Sequence, residues 1–576
     1  MAYRYFMSVG AQGDDAQHAS HQLRMPELPE RWRTPGYVLY ASDQTPVLPL
    51  GDAGLIIGHV FNRHGARLTH ASQLACFARA DGLRRHIVEH YWGAYLLVLA
   101  EDTGSKGVSI LRDPEGGMPC LHALQHDTGF VTSDVELAVH IGNYQKQVDW
   151  QSIAHRLIYP DIKTARTGLC GLEELLPGTW IAASRAQQAP GVAWCPWDFA
   201  SDATHDVAPP VAAAAIRTSV EMVVKAWAAT DRNVLLELSG GLDSSVVGAC
   251  LKQSQANITC CTLVTPVPGA DERRYASQIA ALLGVPLHAD VLDLQPNKHD
   301  FRLPYEIATP RVGMLQNATD THMRQMLQQH GATSFFSGGG GDTVFCYLTT
   351  AAPAVDALRG KGLRTAWQSV GDLAELHQCT LWRAAWLTLR KQLRQPKSPY
   401  QATHDFIHPR HTACRPQHHP WLSAPANALP GDRERIHALA TTQVYRDSAP
   451  RGWHAHLRLP LLSQPVMEAA LRIPSWMWIR GGQNRAVARQ AFADLLPAEV
   501  LARRSKGAFT GYVGALYAKH QHQLQAYLLD GQLHAHGLLD RQALQRFFGH
   551  PLAPRDRRLG RVLDLCAVEN WVRHQS

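Results

Sequence analysis

The pattern of hydrophobic and polar positions changes about a third of the way along the chain. Up to about residue 195, short β-favouring runs are set off by Gly, Pro or Asp, which predicts strands. They fall at residues 37–40, 54–58, 95–99, 108–111 and 179–182. Helices are expected near 72–80 and 150–158.

From Val211 onward, apolar runs of strand length alternate with stretches of helical periodicity. This alternation is typical of a parallel sheet with crossover helices. The strand candidates are residues 234–238, 258–264 and 334–337, and a long helical tail follows them. Segment 196–210 has prolines at both ends and little periodicity, so it is interpreted as a linker. A chain of 576 residues is too long for one ordinary core. We therefore expect two domains, at 1–200 and 211–576.

Composition adds few constraints. Hydrophobic residues make up 45% of the chain and charged residues 18%, which is ordinary for a soluble globular protein. No apolar run approaches the roughly 20 residues that cross a bilayer, and no signal-peptide core is present, so a cytoplasmic protein without membrane contact is expected. The eleven cysteines contain no Cys-x-x-Cys pair, which argues against a zinc ribbon. The net charge of +7 is mild, and no basic face with interleaved aromatic residues indicates nucleic-acid binding.

The stretch 234–247 carries the strongest chemical signal. A short apolar strand runs into Ser239, Gly240 and Gly241, and Asp243 and Ser244 then open a helix. Glycines permit unusual backbone geometry, and a helix N-terminus presents free N–H groups to an anion. The sequence therefore predicts a phosphate cradle. The string Ser-Gly-Gly-x-Asp-Ser also resembles the signature of the PP-loop ATP pyrophosphatases.

Several further motifs together resemble the asparagine synthetase family over nearly the whole chain. In the first part they are Trp92-Gly-Ala-Tyr95, Leu111-Arg-Asp-Pro114, Phe130-Val-Thr-Ser-Asp134 and Leu175-Leu-Pro-Gly178. In the second part they are Thr262-Leu-Val-Thr265, Asp271-Glu-Arg-Arg-Tyr-Ala276, Phe336-Ser-Gly-Gly-Gly-Gly-Asp342, Leu459-Pro-Leu-Leu-Ser463, Pro497-Ala-Glu-Val-Leu501 and Arg503-Arg-Ser-Lys-Gly-Ala-Phe509.

This resemblance implies an α/β protein with two domains. The first would be a glutaminase-like αββα sandwich of the N-terminal-nucleophile type. The second would be a PP-loop ATP pyrophosphatase domain, similar to the adenine nucleotide α-hydrolases, with a parallel sheet and helices.

The resemblance also implies the site residues. ATP would be held by Ser239, Gly240, Gly241, Asp243, Ser244, Leu263, Val264, Ser337 and Gly338. Asp243 and Asp342 would bind Mg²⁺, a hard ion that suits carboxylate and phosphate oxygens. Lys506 would be the catalytic lysine near the α-phosphate, where a cation offsets growing negative charge. Arg485 and Arg489, one helical turn apart, are weaker candidates for phosphate binding. Arg503 and Arg504 have a surface basic patch as the alternative interpretation.

Two departures from the family pattern narrow the expected reaction. The family's glutaminase uses a cysteine at the mature N-terminus, whereas this sequence has Ala2 there and the next cysteine is Cys76. Alanine cannot supply a nucleophile, so glutaminase activity is expected to be absent. In the second loop, Gly339 stands where asparagine synthetases carry glutamate and β-lactam-forming relatives carry tyrosine. A smaller residue would leave room for a bulkier acceptor, which favours the lasso peptide cyclases.

The expected partners follow from that resemblance: a lasso precursor peptide, with a leader peptidase and a leader-binding protein of the same pathway. The alternatives are an asparagine synthetase or β-lactam synthetase acting on a small amino acid, a non-catalytic nucleotide-binding scaffold, and a tRNA-modifying PP-loop enzyme. The segment 404–419 holds five histidines and Cys414, which could ligate zinc. Its spacing matches no family site, so a solvated loop is the preferred interpretation.

Overall fold

A computed structural model of the chain describes residues 3–10, 25, 27–74, 79–101, 107–125, 127–185, 189–201, 207–267, 271–292, 307–310, 314–447, 450–504, 507, 510–553 and 556–575. Within these residues the chain divides into a strand-rich first part and an α/β second part, as the hydrophobic pattern predicts. None of the described helices is both long enough and apolar enough to span a bilayer.

The described strands of the first part form two antiparallel sheets. Their strands are β1 (Tyr5–Val9), β2 (Glu30–Thr34), β3 (Tyr37–Ala41), β4 (Val47–Pro49), β5 (Gly54–Asn62), β6 (Tyr91–Ala100), β7 (Val108–Arg112), β8 (Leu121–Gln125), β9 (Thr128–Thr132), β10 (Glu173–Glu174), β11 (Thr179–Ala182) and β12 (Gly191–Val192). One sheet has the order β10-β8-β9-β1-β3-β2, and the other β12-β11-β7-β6-β5-β4. The predicted strands of this part are confirmed.

Helices cover these sheets. The described helices here are α1 (Ala80–His90), α2 (Val135–Ile141) and α3 (Trp150–Ile158). Helix α1 packs on β6 of one sheet and α2 on β9 of the other. Strands β1, β3 and β7 are buried along their whole length, so each sheet is covered on both faces. This layering fits an αββα sandwich.

The second part is built on a parallel sheet. Its described strands are β13 (Asn233–Glu237), β14 (Asn257–Val264), β15 (Leu287–Val291), β16 (Ser334–Ser337) and β17 (His456–Arg458), in the order β15-β14-β13-β16-β17. The three predicted strands are confirmed. Strands β15 and β17 were not predicted, because β15 is a half-exposed edge strand carrying His288 and Asp290, and β17 has only three residues.

The second part also contains α-helices and one short β-ribbon. The helices are α4 (Pro196–Ser201), α5 (Pro209–Thr230), α6 (Leu242–Leu251), α7 (Arg273–Leu283), α8 (Met314–Gln329), α9 (Gly341–Val344), α10 (Ala352–Lys361), α11 (Leu363–Leu376), α12 (Leu381–Leu393), α13 (Pro430–Asp447), α14 (Gln464–Leu471), α15 (Ala486–Ala491), α16 (Ala498–Ala502), α17 (Thr510–Leu529), α18 (Gln532–Ala535), α19 (Arg541–Phe548) and α20 (Arg558–Arg573). The ribbon pairs β18 (Ile479–Arg480) with β19 (Gln483–Asn484).

Two predicted segments need correction. The expected linker 196–210 is partly helical: α4 occupies its start, and α5 begins at Pro209, where proline suits the first helical turn. Of the helix expected near 72–80, residues 75–78 lie outside the described residues. Residues 71–73 form only a 3₁₀ turn, while α1 begins at Ala80 because the apolar positions it buries, Leu83, Ile87 and Val88, all follow that residue.

The two parts share a continuous hydrophobic core and buried ionic contacts. Glu468 on α14 accepts from Arg63 of the first part at 2.7 Å and from Trp194 Nε1 at 3.1 Å. Arg458, at the end of β17, donates to Asp231 at 2.8 Å and to the Tyr3 hydroxyl at 3.1 Å. The first part therefore supports the base of the parallel sheet.

Candidate functional site

The order of the parallel sheet defines where a ligand would bind. Strands β13 and β16 are neighbours, but the chain leaves them in opposite directions, to β14 on one side and to β17 on the other. In open α/β sheets the crevice at such a switch point, beyond the carboxyl ends of the strands, is the usual ligand site. Both glycine-rich loops predicted from the sequence begin there, after Glu237 and Ser337.

The first loop is held in shape by two serine hydroxyls. Ser244 Oγ accepts from the Ser239 backbone N–H at 3.2 Å and lies 3.1 Å from Ser239 Oγ. Gly240 has φ +63°, and a Cβ there would stand 2.5 Å from the Tyr275 Cβ. Glycine is therefore required at this position. Around Gly241, by contrast, only Ser239 Oγ would come near an added Cβ, at 3.3 Å, so the start of α6 is open to a ligand.

The glycines of the second loop allow the two loops to touch. A Cβ on Gly338 would lie 2.3 Å from the Ser244 backbone nitrogen, and one on Gly341 would lie 2.4 Å from Asp243 Cγ. Gly340 has φ +85° and faces Leu462. Three glycines of this run, Gly338, Gly340 and Gly341, are thus packing requirements, and the run is not merely a flexible turn.

The two predicted Mg²⁺ ligands meet where the loops touch. Arg485 Nη1 donates to Asp342 at 2.8 Å and lies 3.1 Å from both carboxylate oxygens of Asp243. Its guanidinium is mostly buried, and the backbone of Arg485 is left-handed at φ +54°. One cationic atom therefore bridges two carboxylates that would otherwise repel each other.

This donor set fits a magnesium ion. Two carboxylates beside an open helix N-terminus match the preference of Mg²⁺ for a few protein oxygens together with substrate phosphates. Among the described residues, no group of three or more His, Cys, Asp or Glu side chains is placed to hold a metal without such additional ligands. The cation already bridging Asp243 and Asp342 shows that the pair is arranged around a positive charge.

The remaining predicted ATP residues lie around this centre. Ser337 ends β16, and its Oγ accepts from the Gly339 backbone N–H at 3.2 Å. Leu263 and Val264 end β14, one strand away from β13 on the side opposite β16. The Val264 carbonyl accepts from Leu292 N–H at 2.8 Å, so it belongs to the sheet edge. Lys506 lies outside the described residues.

The sequence-based interpretation missed Arg503, which braces the first loop. Its side chain is 7% exposed and donates to the Gly240 carbonyl at 3.0 Å and to Glu272 at 2.5 Å, while its guanidinium stacks 4.2 Å from the Tyr275 ring centre. Glu272 also accepts from the Gly507 backbone N–H at 3.0 Å. The surface-patch interpretation is thus wrong for Arg503, whereas the neighbouring Arg504 is exposed.

Arg489 has a bracing role in this structure. Its guanidinium donates to the backbone carbonyls of Asn484 and Arg503, both at 3.0 Å, and to that of Leu501. Burial, together with the nearby Arg485, lowers its pKa to about 10. Arg489 therefore fixes the segment that carries Arg503, and Arg485 is the arginine of this pair that reaches the carboxylates.

Space beside Gly339 is limited. A Cβ there would stand 3.1 Å from the Leu459 Cδ2 and 3.6 Å from Ser337 Oγ. Leu459 thus fills part of the volume that a larger residue would take. The expectation that Gly339 alone opens room for a bulky acceptor is not supported.

Aromatic side chains surround Tyr3, which lies just before β1. Tyr3 lies 5.5 Å from the His59 ring, and Trp227 packs against both His59 and the Arg458 guanidinium. Burial and Arg458 lower the pKa of His59, so its ring is neutral. Ala2 and Cys76 lie outside the described residues.

The cysteines described in the first part are Cys120, Cys170 and Cys195, and burial raises the pKa of each. None of these three is therefore a ready thiolate nucleophile.

The histidine-rich segment does not form one cluster in the described structure. His411 Nε2 lies 3.2 Å from the Gly537 carbonyl oxygen, and His418 lies 2.7 Å from Ser423 Oγ. His419 is buried, with Nδ1 accepting from the Trp421 N–H at 3.1 Å. The prediction of a solvated loop is therefore wrong for His419, whose ring packs near Trp421 and lies beneath the surface.

Comparison with known proteins gives one family match. The family model described as asparagine synthase matches residues 215–573. No curated protein matches the chain. Among solved structures, the "allosteric regulatory enzyme of purine biosynthesis" aligns with 10% identity over 57% of this chain and 88% of its own, at a TM-score of 0.23. A glutamine phosphoribosylpyrophosphate amidotransferase from B. subtilis, complexed with ADP and GMP, aligns with 10% identity over 58% and 81%, at 0.22. Such low TM-scores do not establish a shared fold.

The matched region covers more than half of the chain and contains the whole site. Both glycine loops, Asp243, Asp342, Arg485 and Arg503 fall within residues 215–573. The chain therefore belongs to the asparagine synthase family, a family of ATP-dependent amide-forming ligases.

Proposed function

We propose that this protein closes the macrolactam ring of a lasso peptide. It would adenylate an Asp or Glu side chain of the core peptide, and the N-terminal amine of the same peptide would then attack. The product is an isopeptide bond. This proposal specifies the substrate within the amide-forming activity of the family.

The observation that carries the ATP chemistry is the contact between the two loops at the switch point. Asp243 and Asp342 converge on Arg485 Nη1 beside the open start of α6. A triphosphate lying along the first loop would meet the N-terminus of α6 and the charged centre beside it. Magnesium, when bound by Asp243 and Asp342, would neutralise phosphate charge.

The reaction proceeds in two balanced steps. A carboxylate oxygen of the peptide attacks the α-phosphorus of ATP, and the bond to the departing pyrophosphate breaks. The amine nitrogen then attacks the acyl carbon, the acyl–oxygen bond breaks, and AMP leaves with the proton passing to solvent or a nearby base. Lys506 is assigned by resemblance to the first step, as a cation near the α-phosphate.

Positioning is the main task that remains for the protein. An amine held beside an activated acyl group gains a large effective molarity. The tail of the peptide must be threaded before closure, because bulky side chains would not pass through a closed ring. A precursor peptide is thus the proposed substrate, with a leader peptidase and a leader-binding protein as pathway partners.

Two features disfavour the small-substrate reactions of the family. The described cysteines of the first part are not thiolates, which disfavours ammonia supplied from glutamine by that part. Gly339 also lacks the glutamate and tyrosine side chains that the resemblance assigns to asparagine synthetases and β-lactam synthetases. These features favour neither of the two small-substrate reactions.

Product analysis with different acceptors tests the proposal. The purified protein is incubated with ATP, Mg²⁺ and either a leader-processed lasso precursor or free aspartate plus ammonia, and pyrophosphate and AMP are measured. We expect both products with the peptide only. If pyrophosphate is released with aspartate and ammonia but not with the peptide, the protein is an asparagine synthetase and not a cyclase. If no pyrophosphate is released with either acceptor or with any other amino acid, the protein is a nucleotide-binding scaffold.

A further inference from the structure

A large open groove lies in the second part of the chain. Its volume is about 1350 Å³, and it runs between α12, the segment 394–401 and the first turn of α13. Thr349–Ala351, which follow the second glycine loop, line one end. We name this cavity the basic groove. Its volume exceeds the range of about 300–1,000 Å³ that is usual for small-molecule pockets, so it suits an extended ligand.

The described lining of the basic groove is strongly cationic. Seven Arg or Lys side chains face it, namely Arg359, Arg383, Arg390, Lys391, Arg394, Lys397 and Arg433. Among the described lining residues the one carboxylate is Glu434, and it is already engaged by Lys391 at 2.5 Å and by the Thr350 hydroxyl at 2.6 Å. A cleft lined by one sign of charge concentrates ligands of the opposite sign.

Helix α12, which forms one wall of the groove, also has an exposed apolar face. Trp382, Trp386, Leu389 and Leu393 follow the spacing of one helical face and are 79%, 55%, 57% and 75% exposed. The residues that the helix buries are Ala384 and Thr388. An apolar stripe thus lies beside the cationic one, and exposed apolar faces of this kind mark interaction sites.

One wall of the groove contacts the ribbon that precedes Arg485. Leu373 of α11 lines the groove, and Asp372 beside it accepts from the Gly481 backbone N–H at 2.8 Å. Gly481 lies in the ribbon β18–β19, which leads directly to Arg485. Helix α11, which lines the groove, is thus hydrogen-bonded to the ribbon that presents Arg485 to Asp243 and Asp342.

We propose that the basic groove binds an acidic, extended segment of the polypeptide substrate while the reacting end of that polypeptide lies at the ATP site. The proposal rests on the peptide substrate proposed above and adds where and by which chemistry the peptide is held. Acidic side chains would pair with Arg383, Arg390 and Arg394. Apolar residues of the same segment would pack over the rim on Leu393 and the α12 stripe.

Other large anions fit the groove less well. Single-stranded nucleic acid would need exposed aromatic rings within the groove for base stacking. The tryptophans among its described lining, Trp197 and Trp421, are 7% and 1% exposed, and the exposed Trp382 and Trp386 lie outside that lining. A flat bilayer would meet the α12 stripe, but it could not follow the concave lining on which the cations lie. An acidic polypeptide satisfies both the shape and the charge.

Binding without ATP tests the groove independently of catalysis. The probe is fluorescein-labelled decaglutamate, and its anisotropy is measured with the full-length protein at low salt. We expect saturable binding that weakens steeply with added salt, because the contacts are exposed ion pairs. In the variant Arg383→Glu/Arg390→Glu the Kd should rise roughly tenfold or more. The matched variant Lys225→Glu/Arg541→Glu, which reverses two exposed charges elsewhere, should bind like the parent.

Several results would overturn the groove proposal. The proposal is wrong if decaglutamate fails to bind the parent, or if it binds both double variants equally. Labelled oligodeoxythymidine or phosphatidylglycerol vesicles that bind more tightly than decaglutamate, and lose binding in Arg383→Glu/Arg390→Glu, would assign the groove to another ligand. Circular dichroism at matched concentration checks that each variant is folded. Because no nucleotide is present, these outcomes leave the AMP-forming reaction to its own test.

Discussion

Arg485 donates from Nη1 to Asp342 at 2.8 Å, and the same nitrogen lies 3.1 Å from both oxygens of Asp243. A single guanidinium thereby bridges a carboxylate pair that is brought together by the contact between two glycine loops, and it offsets one of the two negative charges. In this arrangement Arg485 is the resident counter-ion of the site. A nucleotide carrying magnesium would release Arg485 from the carboxylates and leave it free to contact phosphate.

Arg485→Ala should destabilise the nucleotide-free protein by about 1–2 kcal/mol, because two partly buried carboxylates would lose their shared cation. Added Mg²⁺ should restore part of this loss, giving a larger rise in Tm for the variant than for the parent. Thermal unfolding with and without Mg²⁺ measures both effects. Arg480→Ala, on the same ribbon but exposed, is the control and should match the parent. An unchanged Tm in Arg485→Ala would show that the bridge contributes nothing.

Gly338→Ala should separate the two loops, since its Cβ would lie 2.3 Å from the Ser244 nitrogen. We expect a loss of stability of about 1–3 kcal/mol from overpacking and a rise of more than roughly tenfold in the Kd for ATP. Gly339→Ala is the matched control, because its Cβ meets Leu459 Cδ2 at 3.1 Å, a flexible side chain that can shift. Isothermal titration calorimetry with Mg–ATP measures the Kd of each variant. Equal affinities would argue against a shared nucleotide site at the loop contact.

Arg503→Ala should weaken ATP binding, because the Gly240 carbonyl and Glu272 would both lose their bracing partner. A rise of roughly tenfold in Kd is expected from loosening one loop through lost charge-assisted hydrogen bonds. Arg504→Ala removes the adjacent but exposed arginine and should change the Kd little. If the two variants behave alike, the effect is one of general surface charge and not of the brace.

His419 should make stability depend on pH. Burial, with Lys163 nearby, lowers its pKa to about 3, whereas the unfolded chain has the ordinary value near 6.5. Below pH 6.5 the unfolded state takes up a proton that the folded state does not, so stability is lost as pH falls, by up to about 1.4 kcal/mol per pH unit.

The variant His419→Asn removes this titration. Its deficit in unfolding free energy relative to the parent should be largest at pH 8 and should shrink between pH 6.5 and pH 5. Urea unfolding at several pH values gives the difference, in which the other histidines cancel. A difference that does not vary with pH would mean that His419 is not held neutral by the fold.

The sequence predicted the elements whose patterns are local. The strand β13, the loop from Ser239 and the start of α6 depend on neighbouring residues, so they were predicted and are confirmed. Edge strand β15 and the three-residue β17 escaped prediction because tertiary pairing decides them and local propensity does not.

Side-chain roles set by distant contacts were harder to predict. Arg485 stood out only for its spacing from Arg489, and nothing in the sequence said that one would reach the carboxylates while the other bonds backbone carbonyls. Arg503 resembled a surface arginine beside Arg504. Its burial depends on Glu272 and Tyr275, more than 200 residues away.

Oxygen-18 transfer tests the central claim most directly. A leader-processed precursor peptide labelled with oxygen-18 in its acceptor side-chain carboxylate is incubated with the protein, ATP and Mg²⁺, and both AMP and peptide are analysed by mass spectrometry. We predict AMP carrying one labelled oxygen and a peptide lighter by one water, and neither product with Asp243→Asn. Label found in inorganic phosphate beside ADP, or an unchanged peptide beside unlabelled AMP, would contradict adenylation of the peptide at this site.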